Sequence, residues 1–344
     1  MIKKLSEVKK ELDILNEVGI EIGKDVGWTW EQFPYTVKLG STTYIAGAPA
    51  CGKSEFWFEI LINLSCLHGW NHVIYSPETG THVDVYSEIM HKFVGKPYIK
   101  GKYMMNETEK LLAERFVSKH FYIMDDQSDI TINQFYDLIE KFEKDNNIEI
   151  HTTTVDPWNE LKEDFLPEDL GREDKYLSRL LGIVRKHAKA KNKHHCIITH
   201  VRDQRAEKTK EGTYYYPMPT ARDLAGGQVW FRKGMSMLMF WRPPVDLQTF
   251  DNGFATDNEL HVRIAKTKPK RTSKNGTYKF FLNTKAFRYY VKDITELEIY
   301  ANRGEHGIDV RNFKDSQPIP QTIEEYKPLN PDYDFDKPNE LAPF

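Results

Sequence analysis

Eight consecutive residues constrain this chain more than any other feature. Gly47, Ala48, Pro49, Ala50, Cys51, Gly52, Lys53 and Ser54 read G-x-x-x-x-G-K-S, between a β-rich run at 42–46 and a helical stretch from 53 to about 68. A strand that enters a helix through a glycine-bounded loop aims backbone N–H groups and the positive helix end at one point. That is an anion site suited to phosphates. The motif implies a nucleoside triphosphate, ATP or another NTP. Lys53 would neutralise the β- and γ-phosphates, and Ser54 would ligate Mg²⁺.

The rest of the chain continues the alternation. Strands are expected at 72–76, 121–124, 148–155 and 196–199, and helices at about 82–94, 107–119, 131–145 and 173–191. In the last of these, Tyr176, Leu180, Leu181, Val184 and Ala188 share one face. The expected class is therefore α/β, a P-loop NTPase core with a central, mostly parallel sheet flanked by helices. After 200 the character changes. Residues 202–220 read as a polar loop, and 236–241, 259–266, 278–283 and 287–291 as strands with short connections. Residues 4–17 place Leu5, Val8, Leu12 and Leu15 at helical spacing. This narrow apolar face suits docking on the parent domain or on a neighbouring copy. Residues 19–33 read as a connector. The segment from 301 is acidic and proline-rich and reads as disordered. The expected division is a linker helix and connector over 1–38, an ATPase domain over 39–300, and a tail over 301–344.

Composition removes several classes. Hydrophobic residues make up 40% and charged residues 29%, which fits a soluble globular chain. The longest apolar runs, such as 60–64, are too short to span a bilayer. The N-terminus lacks the apolar core of a signal peptide, so a cytoplasmic protein with no membrane partner is expected. Cys51, Cys66 and Cys196 fit no metal-ligand spacing. The net charge of −3 hides an uneven distribution. Residues 262–279 carry Arg263, Lys266, Lys268, Lys270, Arg271, Lys274 and Lys279 with no acid, which favours a phosphate-facing role over a solvated hairpin.

A P-loop enzyme needs a Mg²⁺-side acid at the end of another strand and a group that activates water. Asp156 follows the run ending at Val155, and Asp125 and Asp126 follow 121–124. Glu78 follows strand 72–76, and His200 ends strand 196–199. In a parallel sheet both would lie on the edge that carries the P-loop. Glu78 could orient water there or simply complement a helix dipole. His200 could contact the γ-phosphate.

The ordered set of Gly47 to Ser54, Tyr75-Ser-Pro-Glu78, Val155-Asp-Pro-Trp-Asn159, Ile198-Thr-His200 and Asp223-Leu-Ala-Gly-Gly227 resembles the DnaB-like replicative helicases. It is most similar to the phage-type and mitochondrial, Twinkle-like branch, over about 25–290. Gly52-Lys-Ser-Glu-Phe with His68-Gly-Trp adds to the likeness. The resemblance implies a RecA-like core, assembled as a homo-oligomeric and usually hexameric ring, that moves on single-stranded DNA. It implies Glu78 as catalytic base, Asp156 rather than Asp125 or Asp126 as the Mg²⁺-side acid, and His200 as γ-phosphate sensor. Arg242 would pack on the nucleotide base. The loop of Asp223, Leu224, Ala225, Gly226, Gly227 and Gln228, followed by Arg232 and Lys233, would bind DNA. Two glycines there let backbone N–H groups approach phosphates. The family reaches a neighbour's γ-phosphate with lysine, one residue, then arginine. This chain has Lys266-Thr-Lys268, so the finger is Lys266, Lys268 or a shifted Arg271. Lysine keeps the charge but lacks the planar fork of donors. About 40 residues precede the core without zinc-binding cysteines, so primase or another replisome protein is expected as a separate partner. A recombination ATPase on single-stranded DNA is the alternative function, and a catalytically dead scaffold is disfavoured by intact Lys53, Ser54, Glu78 and Asp156.

Overall fold

The computed structural model describes residues 3–19, 22–125, 129–202, 204–209, 212, 214–270 and 272–307. In chain order the elements are α1 (Lys9–Val18), β1 (Lys24–Asp25), β2 (Thr36–Val37), β3 (Thr42–Gly47), α2 (Lys53–His68), β4 (His72–Tyr75), α3 (His82–Val94), α4 (Glu107–His120), β5 (Phe121–Ile123), α5 (Ile132–Asn146) and β6 (Thr152–Val155). There follow α6 (Glu173–Lys191), β7 (His194–His200), β8 (Glu207–Lys208), β9 (Tyr214–Tyr215), α7 (Gln228–Lys233), β10 (Ser236–Trp241), β11 (Glu259–Thr267), β12 (Gly276–Asn283), β13 (Arg288–Lys292) and β14 (Glu298–Tyr300). Side-chain caps fix several helix starts. Thr81 caps α3, Asn106 caps α4 and Thr131 caps α5, each answered by Asp84, Glu109 or Gln134 reaching back.

One sheet holds ten strands in the order β14-β13-β12-β11-β10-β3-β7-β6-β4-β5. From β10 to β5 neighbours run parallel, and from β10 to β14 antiparallel. Every residue of β3 is buried, because helices cover both faces at the centre. One apolar layer joins α2, α3 and α4 to the sheet, and the other joins α5, α6 and α7. The P-loop helix α2 has 12 of its 16 residues buried, so it is an interior helix rather than an amphipathic one.

Strand β6 reads Thr-Thr-Thr-Val yet is fully buried. Each threonine hydroxyl has a partner. Thr152 hydrogen-bonds His72 Nδ1 at 2.7 Å, Thr153 hydrogen-bonds His195 Nδ1 at 2.8 Å, and Trp57 Nε1 donates to Thr154 at 2.8 Å. His194 lies beside them and meets Thr43 Oγ1 at 3.0 Å. Burial holds these imidazoles below the ordinary histidine value of 6.5, with His194 pushed down to about 4. The unfolded chain therefore takes up these protons first. Stability is whole above about pH 6.5 and falls as pH drops below it. His194 alone is expected to cost roughly 2 kcal/mol at pH 5. Urea midpoints at pH 7.5 and pH 5 check this, and equal midpoints would show the buried imidazoles to be thermodynamically silent.

Two expectations at the domain margins change. The connector at 19–33 is partly core. β1 pairs with β2, and Val26, Trp28, Phe33 and Tyr35 are buried, with Trp28 stacked on Phe56 at 5.6 Å. The packed domain also continues past 300. Arg303 is buried and donates from Nε to Asn63 Oδ1 at 2.8 Å, from Nη2 to Glu59 Oε1 at 2.9 Å and from Nη1 to Lys92 O at 2.9 Å. Alternating charge patterns carry no mark of so distant a pairing, which is why the segment read as tail. The remainder of the proposed tail, 308–344, lies outside the described residues. No residue of α1 is buried, and its Leu12, Ile14, Leu15 and Val18 are all exposed. No described helix is long and apolar enough to cross a membrane.

Candidate active site

The phosphate loop leaves β3 at Gly47 and enters α2 at Lys53. It needs unusual backbone geometry, with Ala50 at φ 55° and Gly52 at φ 89°. A Cβ on Gly52 would stand 2.6 Å from Tyr289 Oη, so the loop is also closely covered. The covering group is Tyr289, which donates to Glu55 Oε2 at 3.1 Å, and Arg242, whose Nε donates to Cys51 O at 3.4 Å and whose Nη2 lies 3.7 Å from Glu55. Arg242 thus stands over the loop itself in this structure.

The structure brings Lys53, His200 and Glu78 into one line. Lys53 Nζ donates to Ala48 O at 2.8 Å and lies 3.2 Å from His200 Nδ1. His200 Nε2 lies 2.8 Å from Glu78 Oε2. An ammonium can only donate, so Nδ1 accepts and Nε2 carries the proton that Glu78 receives. The three come from α2, from the end of β7 and from the turn after β4. They meet because parallel strands end on one edge.

Asp156 follows β6 and is buried. Ser76 Oγ donates to its Oδ2 at 3.2 Å, and the Ser54 hydroxyl bonds it as well. Burial raises its proton affinity despite Ser54, Lys53 and Ser76, which all favour the anion. A buried carboxylate next to a hydroxyl is a pair of hard oxygens, and the pair fits Mg²⁺, which takes few protein ligands beside phosphate. Asp125 is exposed at the end of edge strand β5, and Asp126 lies outside the described residues. Among the described residues no cluster of three or more His, Cys, Asp or Glu forms a metal site of its own.

The loop at 223–228 touches the end of β7 directly. Val201 and Leu224 form a β-bridge, and Arg202 N donates to Asp223 O at 2.8 Å. Not all of its residues face outward. Asp223 Oδ2 accepts from Thr220 N at 2.6 Å, Leu224 is buried, and Ala225 O accepts from Trp230 Nε1 at 2.8 Å. Gly226 has φ +69°, and a Cβ there would lie 2.4 Å from Leu177 Cδ2. Gln228 and Arg232 are exposed, and Lys233 is half-buried.

The basic stretch is less free than its composition implies. Lys266 is buried, and its Nζ donates to the carbonyls of Phe231 and, at 3.3 Å, of Arg232. Within this single chain the finger candidate Lys266 is therefore an internal contact. Lys279 pairs with Asp251 at 2.9 Å and Glu259 at 3.4 Å. Lys268 is exposed, and Arg271 lies outside the described residues. Sequence reasoning missed Ser76, Glu55 and Tyr289. Ser76 lies within the quoted Tyr75-Ser-Pro-Glu78 motif, whereas nothing in the sequence ties Tyr289 to the P-loop.

A ten-stranded sheet with a P-loop at the end of a central strand, and acids and a histidine on the same edge, defines a RecA-like ATPase fold. The comparisons agree on that fold. The ATPase domain of G40P superposes with a TM-score of 0.63 at 16% identity, over 84% of this chain and 99% of that one. A DnaB-like replicative helicase, solved with a view to its interactions with primase, gives 0.61 at 16% identity, over 84% of this chain and 67% of that one. In sequence, the chain is 25% identical over 187 residues to the Twinkle homolog protein, chloroplastic/mitochondrial, of Arabidopsis thaliana. That match takes in 53% of this chain but about a quarter, 26%, of the relative. No protein-family model matches. The chain therefore carries a RecA-like ATPase fold, and over 187 residues it is similar in sequence to part of a Twinkle homologue.

Proposed function

We propose that this chain is the ATP-hydrolysing motor of a replicative DNA helicase, working with Mg²⁺ on single-stranded DNA. One observation carries the reading. His200, the middle of the Lys53–His200–Glu78 line, lies one residue before Val201, which bridges to Leu224 of the glycine loop. A change at the phosphate end of β7 is thus passed through backbone to a surface suited to DNA phosphates.

Bound Mg²⁺ would supply charge neutralisation on the phosphates, held through Ser54 and Asp156. Lys53 leaves Ala48 O and His200 to meet phosphate oxygens, supported by loop and α2 N–H groups. His200, released from Lys53, keeps donating its Nε2–H to Glu78 or turns it to a phosphate oxygen. Glu78 is half-exposed and accepts the proton of an attacking water. Lys268 would complete a neighbour's site in a ring of copies. The exposed apolar side of α1 would dock on the adjacent copy, and a separate primase is the partner that the structural relatives suggest.

Steady-state ATP hydrolysis with and without single-stranded DNA tests this reading. Stimulation by DNA of about 5-fold or more is expected. Hydrolysis indifferent to DNA would remove it. The alternative, a recombination ATPase, predicts stimulation without directional displacement of a duplex strand.

A further inference from the structure

We infer that Lys266 is a positioning residue that couples the nucleotide site to the glycine loop at 223–228. The inference rests on the motor reading and adds the part that transmits. Lys266 lies on β11 opposite Met237 of β10, next to an irregularity in the ladder at Met237 and Leu238. Its side chain leaves the sheet for the far end of α7. There it meets the carbonyls of Phe231 and Arg232 and lies 4.9 Å from the centre of the Phe231 ring.

The last carbonyls of a helix have no partner within it, and a cation placed there answers both the free oxygens and the dipole. The residue is only 8% exposed, and the groups it donates to are carbonyls rather than a carboxylate. Within this chain the ammonium is thus held at the end of α7. Burial, Lys268 and Arg185 together lower its proton affinity, so the position is costly to fill with a lysine.

What α7 connects explains the cost. The helix begins directly after Gly227, and its Trp230 holds Ala225 O at 2.8 Å. Trp230 also packs edge-on against Tyr44 of β3 at 5.3 Å and against Trp158 at 5.6 Å. Tyr44 lies on the strand that runs into the P-loop, and Trp158 lies two residues after Asp156. α7 is therefore gripped at its centre by the nucleotide side of the sheet and at its end by Lys266. Two residues beyond Lys266 stands exposed Lys268. A shift of 266–268, imposed by whatever Lys268 meets, pulls the end of α7 and so turns the glycine loop at its start.

The test compares the full chain with Lys266→Met and Lys266→Arg in two measurements. One is the stimulation of ATP hydrolysis by single-stranded DNA. The other is the ratio of DNA affinities with a non-hydrolysable ATP analogue and with ADP. Wild type is expected to show ratios of about 5 to 150, Lys266→Met ratios near one, and Lys266→Arg a substantial recovery. Trp230→Phe, which keeps an aromatic ring but loses the Ala225 bond, is expected to lower the same ratios and serves if Lys266→Met does not fold. Ratios that stay at wild-type values in folded Lys266→Met would overturn the inference. An equal loss of hydrolysis with and without DNA would also overturn it, by returning Lys266 to the role of a finger. A wild type indifferent to DNA would instead overturn the motor reading beneath it.

Discussion

Replacing Lys53 by alanine is expected to cut ATP hydrolysis by about a hundredfold to a thousandfold, the range seen when a preorganised charge-stabilising donor is removed. The argument is local. Lys53 is buried at the foot of the loop, with Ala48 O and His200 as its hydrogen-bond partners. Neither is an acid; the lysine also favours the anion of buried Asp156, and its charge stands ready for an incoming phosphate. Stability should change little. The melting temperature is expected to move by no more than about 5 °C. Hydrolysis within about threefold of wild type, in a folded variant, would show that the loop does not hold the reacting phosphates.

The second large effect lies behind the same helix. Glu59 on α2 is fully buried and receives Arg288 Nε at 3.1 Å and Arg303 Nη2 at 2.9 Å, both on Oε1. Burial would raise its proton affinity, but Arg303, Arg288 and Lys92 outweigh it and hold the carboxyl below the ordinary range. Its other oxygen, Oε2, has no hydrogen bond. Arg303→Met leaves that charge undercompensated and frees Asn63 and the Lys92 carbonyl. Breaking a buried pair of this kind costs about 3–5 kcal/mol. Urea denaturation at pH 7 reads the loss directly. A change below about 1 kcal/mol would mean that residues 301–307 merely lie against the domain. The double variant with Glu59→Gln should lose less than the sum of the two single changes, since the residues share one network.

How far the sequence reveals this molecule follows from the range of its interactions. The helices at 82–94 and 173–191 are found where the sequence pattern places them, because that signal is local. The central strands are equally legible, since buried parallel strands read as short apolar runs. β6 is the exception. Its threonines are tolerated because His72, His195 and Trp57 complete them, and pairs across a sheet leave no periodic trace. The short helix α7 was hidden within a glycine motif. Trp28 and Arg303 read as connector and tail because their partners, Phe56 and Glu59, lie far off in the chain. Lys266 shows the opposite error. A run of cations reads as one surface, yet Lys266 on β11 is buried against α7, whereas Lys268, just past the end of that strand, is exposed.

The near-complete burial of α2 has a mechanical consequence. A helix packed on almost every side cannot tilt or slide without opening voids, and close-packed interiors resist that. The phosphate loop is therefore a fixed anvil. In the proposed motor, a stroke would be taken up at the sheet edge rather than by α2: in the turn bearing Glu78, the end of β7, and the glycine loop it bridges. Travel along a strand would then come from small swings of these edges about a stationary frame, with the body of the sheet acting as the stator.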